Sequence, residues 1–289
     1  MKERYDARYE NDTTPSSEIA KRFREFIDDD DHDASLALIS YRGGEEEFQL
    51  GRKYCLSDDP GDRAMGADIL AQLGWGDQTF RDESIELLIP LLADSDDLVV
   101  RCAAVALGHR SAEAAIPHLV ALAKHPCAKV RGGVVSGLLG QEDERAIDAL
   151  IGLSKDECFD VRNWAVFGLG TQIEADSEAI RDALRASLSD ADLEIRGEAL
   201  VGLAKRKDPA IVSLLISEWE HDTVSMLSLE AATEVGDPRL MPHLRSIEDC
   251  LDLDDDPHFA GILEEAIKSC LGGEGSSNTP LAGALAKDE

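Results

Sequence analysis

The side chains able to do chemistry in this chain are scattered. Cys55, Cys102, Cys127, Cys158, Cys250 and Cys270 stand far apart, and none forms a Cys-x-x-Cys pair. Zinc ribbons and disulfide scaffolds need close sulfur spacing, so these read as free thiols acting as small hydrophobes in a reducing cytoplasm. His118 and His243 share a Pro-His-Leu triplet, which invites a metal reading. The equivalent position elsewhere is Ala149, and the two histidines lie far apart, so both read as helix-rim residues. The acidic runs Asp28–Asp33 and Asp252–Asp256 suggest calcium. An EF-hand loop needs a glycine at its sixth position and a glutamate at its twelfth. From Asp28 those positions hold Asp33 and Ile39, and from Asp252 they hold Pro257 and Leu263, so both runs read as solvated turns. Phosphate-cradling glycine loops and strand-turn-helix nucleophile elbows are absent. The expectation is a non-enzyme with no catalytic residue, no metal and no cofactor.

Composition says what must carry such a surface. Of 289 residues, 43% are hydrophobic but only 5% aromatic, which favours close-packed helices over aromatic and β-branched strands. Lys and Arg number 29 against 59 Asp and Glu, a net charge of -30. That surface repels phosphate backbones, so nucleic acid is excluded as a partner, and it steers basic ones. The same scarcity of Lys and abundance of Asp would suit a salt-rich cytoplasm, and the two explanations stand side by side. No apolar run approaches the roughly 18 residues of a membrane helix, and the charged start, Met1 to Asp12, shows no secretory signal. The expected location is cytoplasmic, with no membrane partner.

The positioning elements show in a repeat. A Leu-Gly helix ending, or a close variant, recurs with its glycine slot at Gly74, Gly108, Gly140, Gly170, Ala204 and Gly236, in steps of 34, 32, 30, 34 and 32 residues. A period of this size marks stacked helical hairpins. In Val130-Arg131, Val161-Arg162 and Ile195-Arg196 the arginine precedes the glycine slot by eight or nine residues. Three and seven residues beyond Arg162 lie Ala165 and Leu169; beyond Arg196, Ala199 and Leu203. These offsets share one helical face and form the buried stripe. Six residues before the arginine slot stands an acid: Asp156, Asp190, and, where Val100 and Ser228 replace arginine, Asp94 and Asp222. Such a carboxylate can accept from orphan backbone N–H groups or from an arginine in the stack. A second amphipathic helix precedes each turn.

The Asp…Val-Arg-x-x-Ala-x-x-x-Leu-Gly units of Asp156–Gly170 and Asp190–Ala204 resemble HEAT repeats, specifically the short bacterial type named after the phycobilisome lyases. The resemblance spans roughly residues 44 to 271. It implies an all-α, right-handed α-α superhelix of six or seven hairpins. It also implies a ladder of Asp and Arg between stacked repeats, carried here by Asp156, Arg162, Asp190 and Arg196. Arg131 has His125 in its acid slot, which leaves its partner open. Relatives in this family include a di-iron hydroxylase that binds metal through His-Glu pairs; none of the seven histidines here is followed by Glu. A bilin lyase or isomerase is the other enzymatic alternative, with an aromatic groove at Asn163–Phe167 holding a flat tetrapyrrole.

The expected organisation is a loose 1–17, one continuous solenoid over 18–271 with atypical capping repeats, and a mobile tail over 272–289. The first repeat, Gly44–Leu56 with Gly61–Gly74, reads as lacking the arginine. By the resemblance, the arginine-bearing helices line the inner face. There the two positions after the slot point off the stripe: Arg101, Gly132, Asn163, Gly197 and Leu229, then Cys102, Gly133, Trp164, Glu198 and Glu230. Trp164 stands out, with Asn163 beside it and Phe167 one turn on. It either fills the space left by the glycines or presents a contact surface with Asn163, Phe167, Arg101, Glu198 and Glu230. Trp75 reads either as a staple between the first two hairpins or as an edge contact, and Trp219 as core. The function that follows is a protein-protein interaction scaffold or adaptor. It would bind a basic protein or peptide on an acidic inner face, and an inhibitor or immunity-type protein masking a basic toxin is one concrete version.

Overall fold

The computed structural model describes residues 12–24, 34–73, 78–220, 224–250 and 256–272, and every regular element among them is helical. The chain divides into two compact units, one through Ala199 and one from Leu200. In chain order the first unit pairs α1 (Ser16–Arg24) with α2 (Ala34–Arg42), α3 (Glu45–Cys55) with α4 (Pro60–Gln72), and α5 (Arg81–Leu91) with α6 (Asp97–His109). It continues with α7 (Ile116–Leu122) and α8 (Ala128–Leu138), α9 (Glu144–Leu153) and α10 (Phe159–Phe167), then α11 (Glu178–Ser187) and α12 (Leu193–Lys205), inside which the unit boundary falls. The second unit holds α13 (Ile211–Trp219) with α14 (Met226–Val235), and α15 (Met241–Cys250) with α16 (Pro257–Leu271). Among the described residues the helices make eight hairpins, an all-α HEAT-type architecture.

The apolar stripe lies where the repeat spacing puts it. Val134 and Leu138, Ala165 and Leu169, and Ala199 and Leu203 are all fully buried. Short polar side chains start the helices: Asp59, Asp96, Asp143, Ser177 and Ser225 each accept a backbone N–H from the first turn. Small residues then set how closely α6 and α8 approach. A Cβ on Gly137 would stand 2.8 Å from the Ala104 carbonyl oxygen, and one on Gly108 would collide with the Ser136 carbonyl.

The arginine and the acid of one repeat do not pair with each other. Arg131 and Arg162 each turn Nη1 back onto their own turn and reach forward with Nε and Nη2 to the acid of the next repeat. Arg131 donates to the Asp156 carboxylate at 2.6 and 2.8 Å, and Arg162 to Asp190 at 2.9 and 3.4 Å. Their Nη1 groups donate to the carbonyls of His125 and Pro126, and of Asp156 and Glu157. Arg196 likewise donates to Asp190 and Ala191, while Asp222 lies outside the described residues. Arg131 therefore has its acid in the following repeat, and the histidine in its own slot is no obstacle.

The expectation that the first repeat lacks the arginine is corrected. Arg63 donates to Asp94 at 2.7 and 2.8 Å and to the carbonyls of Ser57 and Asp58, the pattern of Arg131 and Arg162. Each ladder acid does two jobs. Asp94, Asp156 and Asp190 also accept the N–H two residues on, from Asp96, Cys158 and Asp192. His125 keeps the second job alone: its Nδ1 accepts from the Cys127 N–H at 3.2 Å.

Candidate functional site

The feature that packing does not explain is on α10. Trp164 is 52% exposed, and Phe167 meets it edge to face at 5.5 Å between ring centroids. Asp160, one turn before Trp164 and on the same helical side, is exposed. The turn after Phe167 widens to π type over Gly168–Gln172, with the Ile173 N–H donating to the Gly168 carbonyl. Such single wide turns recur at functional positions in helices. Thr171, within it, donates its hydroxyl to Glu198 of α12 at 3.4 Å. Asn163 Oδ1 is shut away from solvent with no hydrogen-bond partner.

The adjoining ridge is α8, which packs between α6 and α10. Gly133 is buried, its missing side chain replaced by α6: a Cβ there would stand 3.0 Å from the Arg101 carbonyl oxygen and 3.3 Å from Arg101 Cγ. Gly132 is different, because a Cβ there would meet nothing within 4 Å. Arg101 Nε is enclosed without a hydrogen-bond partner of its own, while the charge of the side chain acts on Cys102 and Asp68. Charges sort along this surface. Two residues before each arginine slot stand Lys129 on α8, Asp160 on α10 and Glu194 on α12, all exposed. Lys129 thus shares α8 with Gly132, Asp160 shares α10 with Trp164, and Glu194 and Glu198 stand on α12.

The expected set is brought together only in part. Arg101, Asn163, Trp164, Phe167 and Glu198 lie on α6, α10 and α12 of the first unit; Glu230 is exposed on α14 of the second. The expectation that the two positions after the slot face outward is corrected. Cys102, Gly133, Gly197 and Leu229 are buried. The backbone of α6 packs on Gly133, which shows why that position is closed. Trp219 is half-buried, and its indole N–H donates to Ser228 Oγ at 2.9 Å. Trp75 lies outside the described residues.

Spacing alone missed Asp68. It occupies the slot that holds Val105, Ser136, Phe167 and Val201 in other repeats, and that mismatch was the available signal. Part of the residue reaches solvent, but its carboxyl is enclosed, and burial pushes it up to about 6. The Cys102 thiol donates to it at 3.5 Å. Burial, and then the Asp68 charge, raise Cys102 well above the ordinary thiol range and Cys55 to about 12. Thiols held protonated in this way are poor nucleophiles. A separate cleft of about 860 Å³ between α7 and α9 is bordered by Lys124, His125, Arg145, Asp148 and Lys155. Among the described residues no group of three or more His, Cys, Asp or Glu could hold a metal ion, and no helix is long and apolar enough to cross a membrane.

The family model described as HEAT repeats matches residues 53–139 and 147–235. Protein YibA of Escherichia coli (strain K12) is 42% identical over 69 residues, which is 24% of this chain and 25% of YibA. The chain thus spans a quarter of the length of that relative by sequence. The crystal structure of the Escherichia coli YibA protein superposes with a TM-score of 0.62 and 26% identity, covering 88% of this chain and 95% of that one. An engineered protein superposes at a TM-score of 0.52 with 16% identity, covering 86% and 78%, a likeness of fold alone.

Proposed function

We propose a function from one premise: the chain belongs to the HEAT-repeat family. Helical-repeat stacks present long continuous surfaces built of equivalent positions, and they serve as scaffolds for protein contact. Our reading is a non-catalytic adaptor that holds a basic protein or peptide against the surface centred on Trp164. A protein that masks a basic toxin would be one concrete form of it.

The observation that carries the reading is the exposure of Trp164. At the equivalent positions of α6 and α8, Cys102 and Gly133 are buried in helix packing. Large aromatics left open beside polar groups are the usual centres of binding energy. The net charge of -30, with Asp160 on the helix of Trp164 and Glu194 and Glu198 on α12, favours a basic partner. Phosphate backbones remain disfavoured for the same reason.

One variant with two readouts tests this. Trp164→Ala should melt within a few degrees of the unmodified protein, and it should lose capture of basic partners from lysate at low salt. Capture should also weaken as salt rises. A variant that keeps full capture, or that unfolds, sinks the reading.

A further inference from the structure

Apart from the Trp164 surface and independent of it, we propose a second docking site, in the cleft between α7 and α9. Its occupant is an acidic amphipathic helix of a partner protein. That helix lies across the ends of α7 and α9 and sets two carboxylates, seven residues apart, on Lys124 and Lys155. An apolar side chain between them turns onto the cleft floor.

Charge supplies the first argument. In a chain with 59 acids and 29 bases, this cleft is bordered by four Lys and Arg and three Asp and Glu. Most of these charges are already used. Arg131 bonds Asp156 and stands 3.5 Å from Glu157, and Arg145 bonds Asp143, the N-cap of its own helix, at 2.7 Å. That leaves Lys124 and Lys155 against Asp148. All three are exposed, and neither lysine has an ion pair among the described residues. Two unpaired cations beside one groove are complementary to carboxylates of another chain.

The repeat supplies the second. The position directly before the acid slot holds Leu56, Ala93, Lys124, Lys155 and Ser189 in successive repeats. A lysine suits the end of any helix, where the last carbonyls carry partial negative charge. Yet α3, α5 and α11 end without one at this position. Of the five, lysine stands in the two repeats that border the cleft.

Spacing and shape supply the third, and they select a helix. Neighbouring packed helices lie about 8–10 Å apart, and Lys124 and Lys155 follow the ends of two such helices at one repeat position. Residues seven apart on a helix share a face and are separated by about 10.5 Å. An extended chain repeats its face about every 6.7 Å, which matches less well. On the helix, the residue three or four along from the first acid lies between the two and on the same side. The cleft of about 860 Å³ receives it, with Val120, Ala123, Ala149 and Leu153 as the apolar floor.

The test uses the full chain and alanine-rich helices of eighteen residues displayed on phage, randomised along one face and selected at low salt. The best binder is resynthesised with a fluorescent label, and its affinity is measured by anisotropy. It should carry Asp or Glu seven residues apart with an apolar residue between them, and moving one acid by two positions should weaken binding about tenfold. Lys124→Ala and Lys155→Ala should each weaken it at least fivefold. Gly152→Gln lays a side chain over the floor from a position where a Cβ meets nothing within 4 Å, so it should weaken binding at least tenfold with no fall in melting temperature. Asp148→Asn removes the opposing charge and should tighten binding. Trp164→Ala should leave it unchanged, so this proposal and the reading of the Trp164 surface fail separately. Failure to select any binder, binders indifferent to both lysines, or acids that can be moved at no cost would each overturn the proposal. Anionic vesicles or RNA that bind through the two lysines while no peptide does would overturn it as well.

Discussion

Val100 and His125 are the two halves of one absent rung. An arginine in the slot of one repeat bonds the acid slot of the next, as Arg63 does with Asp94 and Arg131 with Asp156. Position 100 is the arginine slot of α6, and position 125 is the acid slot that follows. Two departures from the repeat pattern, in different repeats, are thus one departure. In its place His125 Nε2 stands 3.8 Å from Asp97, a longer contact than any of the three rungs.

Restoring the rung gives a first prediction. Val100→Arg alone places a guanidinium without its acid, and His125→Asp alone places an acid without its base, so each should be neutral or destabilising. Together they should recover stability, with a coupling of at least about 1 kcal/mol. Urea midpoints of the two single variants and the double variant decide it; additivity would mean that the positions are not paired.

The existing rungs differ in burial, which sets a second prediction. The side chains of Arg131 and Asp156 are 8% and 9% exposed, against 23% and 14% for Arg162 and Asp190. Removing one partner of a buried pair leaves the other uncompensated. Arg131→Ala should therefore cost about 3–5 kcal/mol, and Arg162→Ala about 1–3 kcal/mol. Equal shifts in the urea midpoint would show that burial does not decide the cost.

The ladder also shows where reading a sequence stops. The stripe was legible because Ala165, Leu169, Ala199 and Leu203 follow helical spacing within one segment. The rungs were not fully legible, because acid and arginine recur six residues apart in one repeat yet bond between repeats. Arg63, preceded by Ser57 in its acid slot, consequently looked like no ladder arginine at all. Trp164 was visible as an oddity, but its exposure depends on what the neighbouring helices cover. Gly132 and Gly133 are indistinguishable in sequence, and only the position of α6 separates a packing glycine from an open one.

Acids of opposite tendency make a third prediction. Bonds from Arg63 and Arg162 hold Asp94 and Asp190 below the ordinary range; at Asp156 burial works the other way and is outweighed by the Arg131 bond, the Cys158 N–H and the charges of Arg131 and Arg162 together. Their contribution is present above the unfolded value of about 3.9 and is lost as pH falls through the lower folded values. Asp68, raised to about 6, has the reverse sign. Its ionisation opposes folding above that pH, and the penalty vanishes below about 4, where both states are protonated. Asp68→Asn should thus stabilise by on the order of 1–2 kcal/mol at pH 7, with the gain gone at pH 4. Paired denaturation curves at the two pH values check this; a gain that persists at pH 4 would assign the effect to packing.

The fourth prediction sets glycines of neighbouring helices against each other. Gly132 and Gly108 both lie in helices with ordinary negative φ, so adding a methyl should help both by reducing the freedom of the unfolded chain. What differs is the space. Nothing lies within 4 Å of a Cβ at Gly132, so Gly132→Ala should stabilise by about 0.5–1 kcal/mol. At Gly108 the Cβ would collide with the Ser136 carbonyl and press on Gly137 of α8. Those are backbone atoms and cannot rotate aside, so the two helices must part. Forced expansion of this kind costs about 1–3 kcal/mol, sometimes more, which outweighs the gain. Gly108→Ala should therefore lower the melting temperature while Gly132→Ala raises it. Two variants moving in the same direction would mean that α6 and α8 are not held at this spacing. The open position on α8 would then lose its contrast with the packed ones.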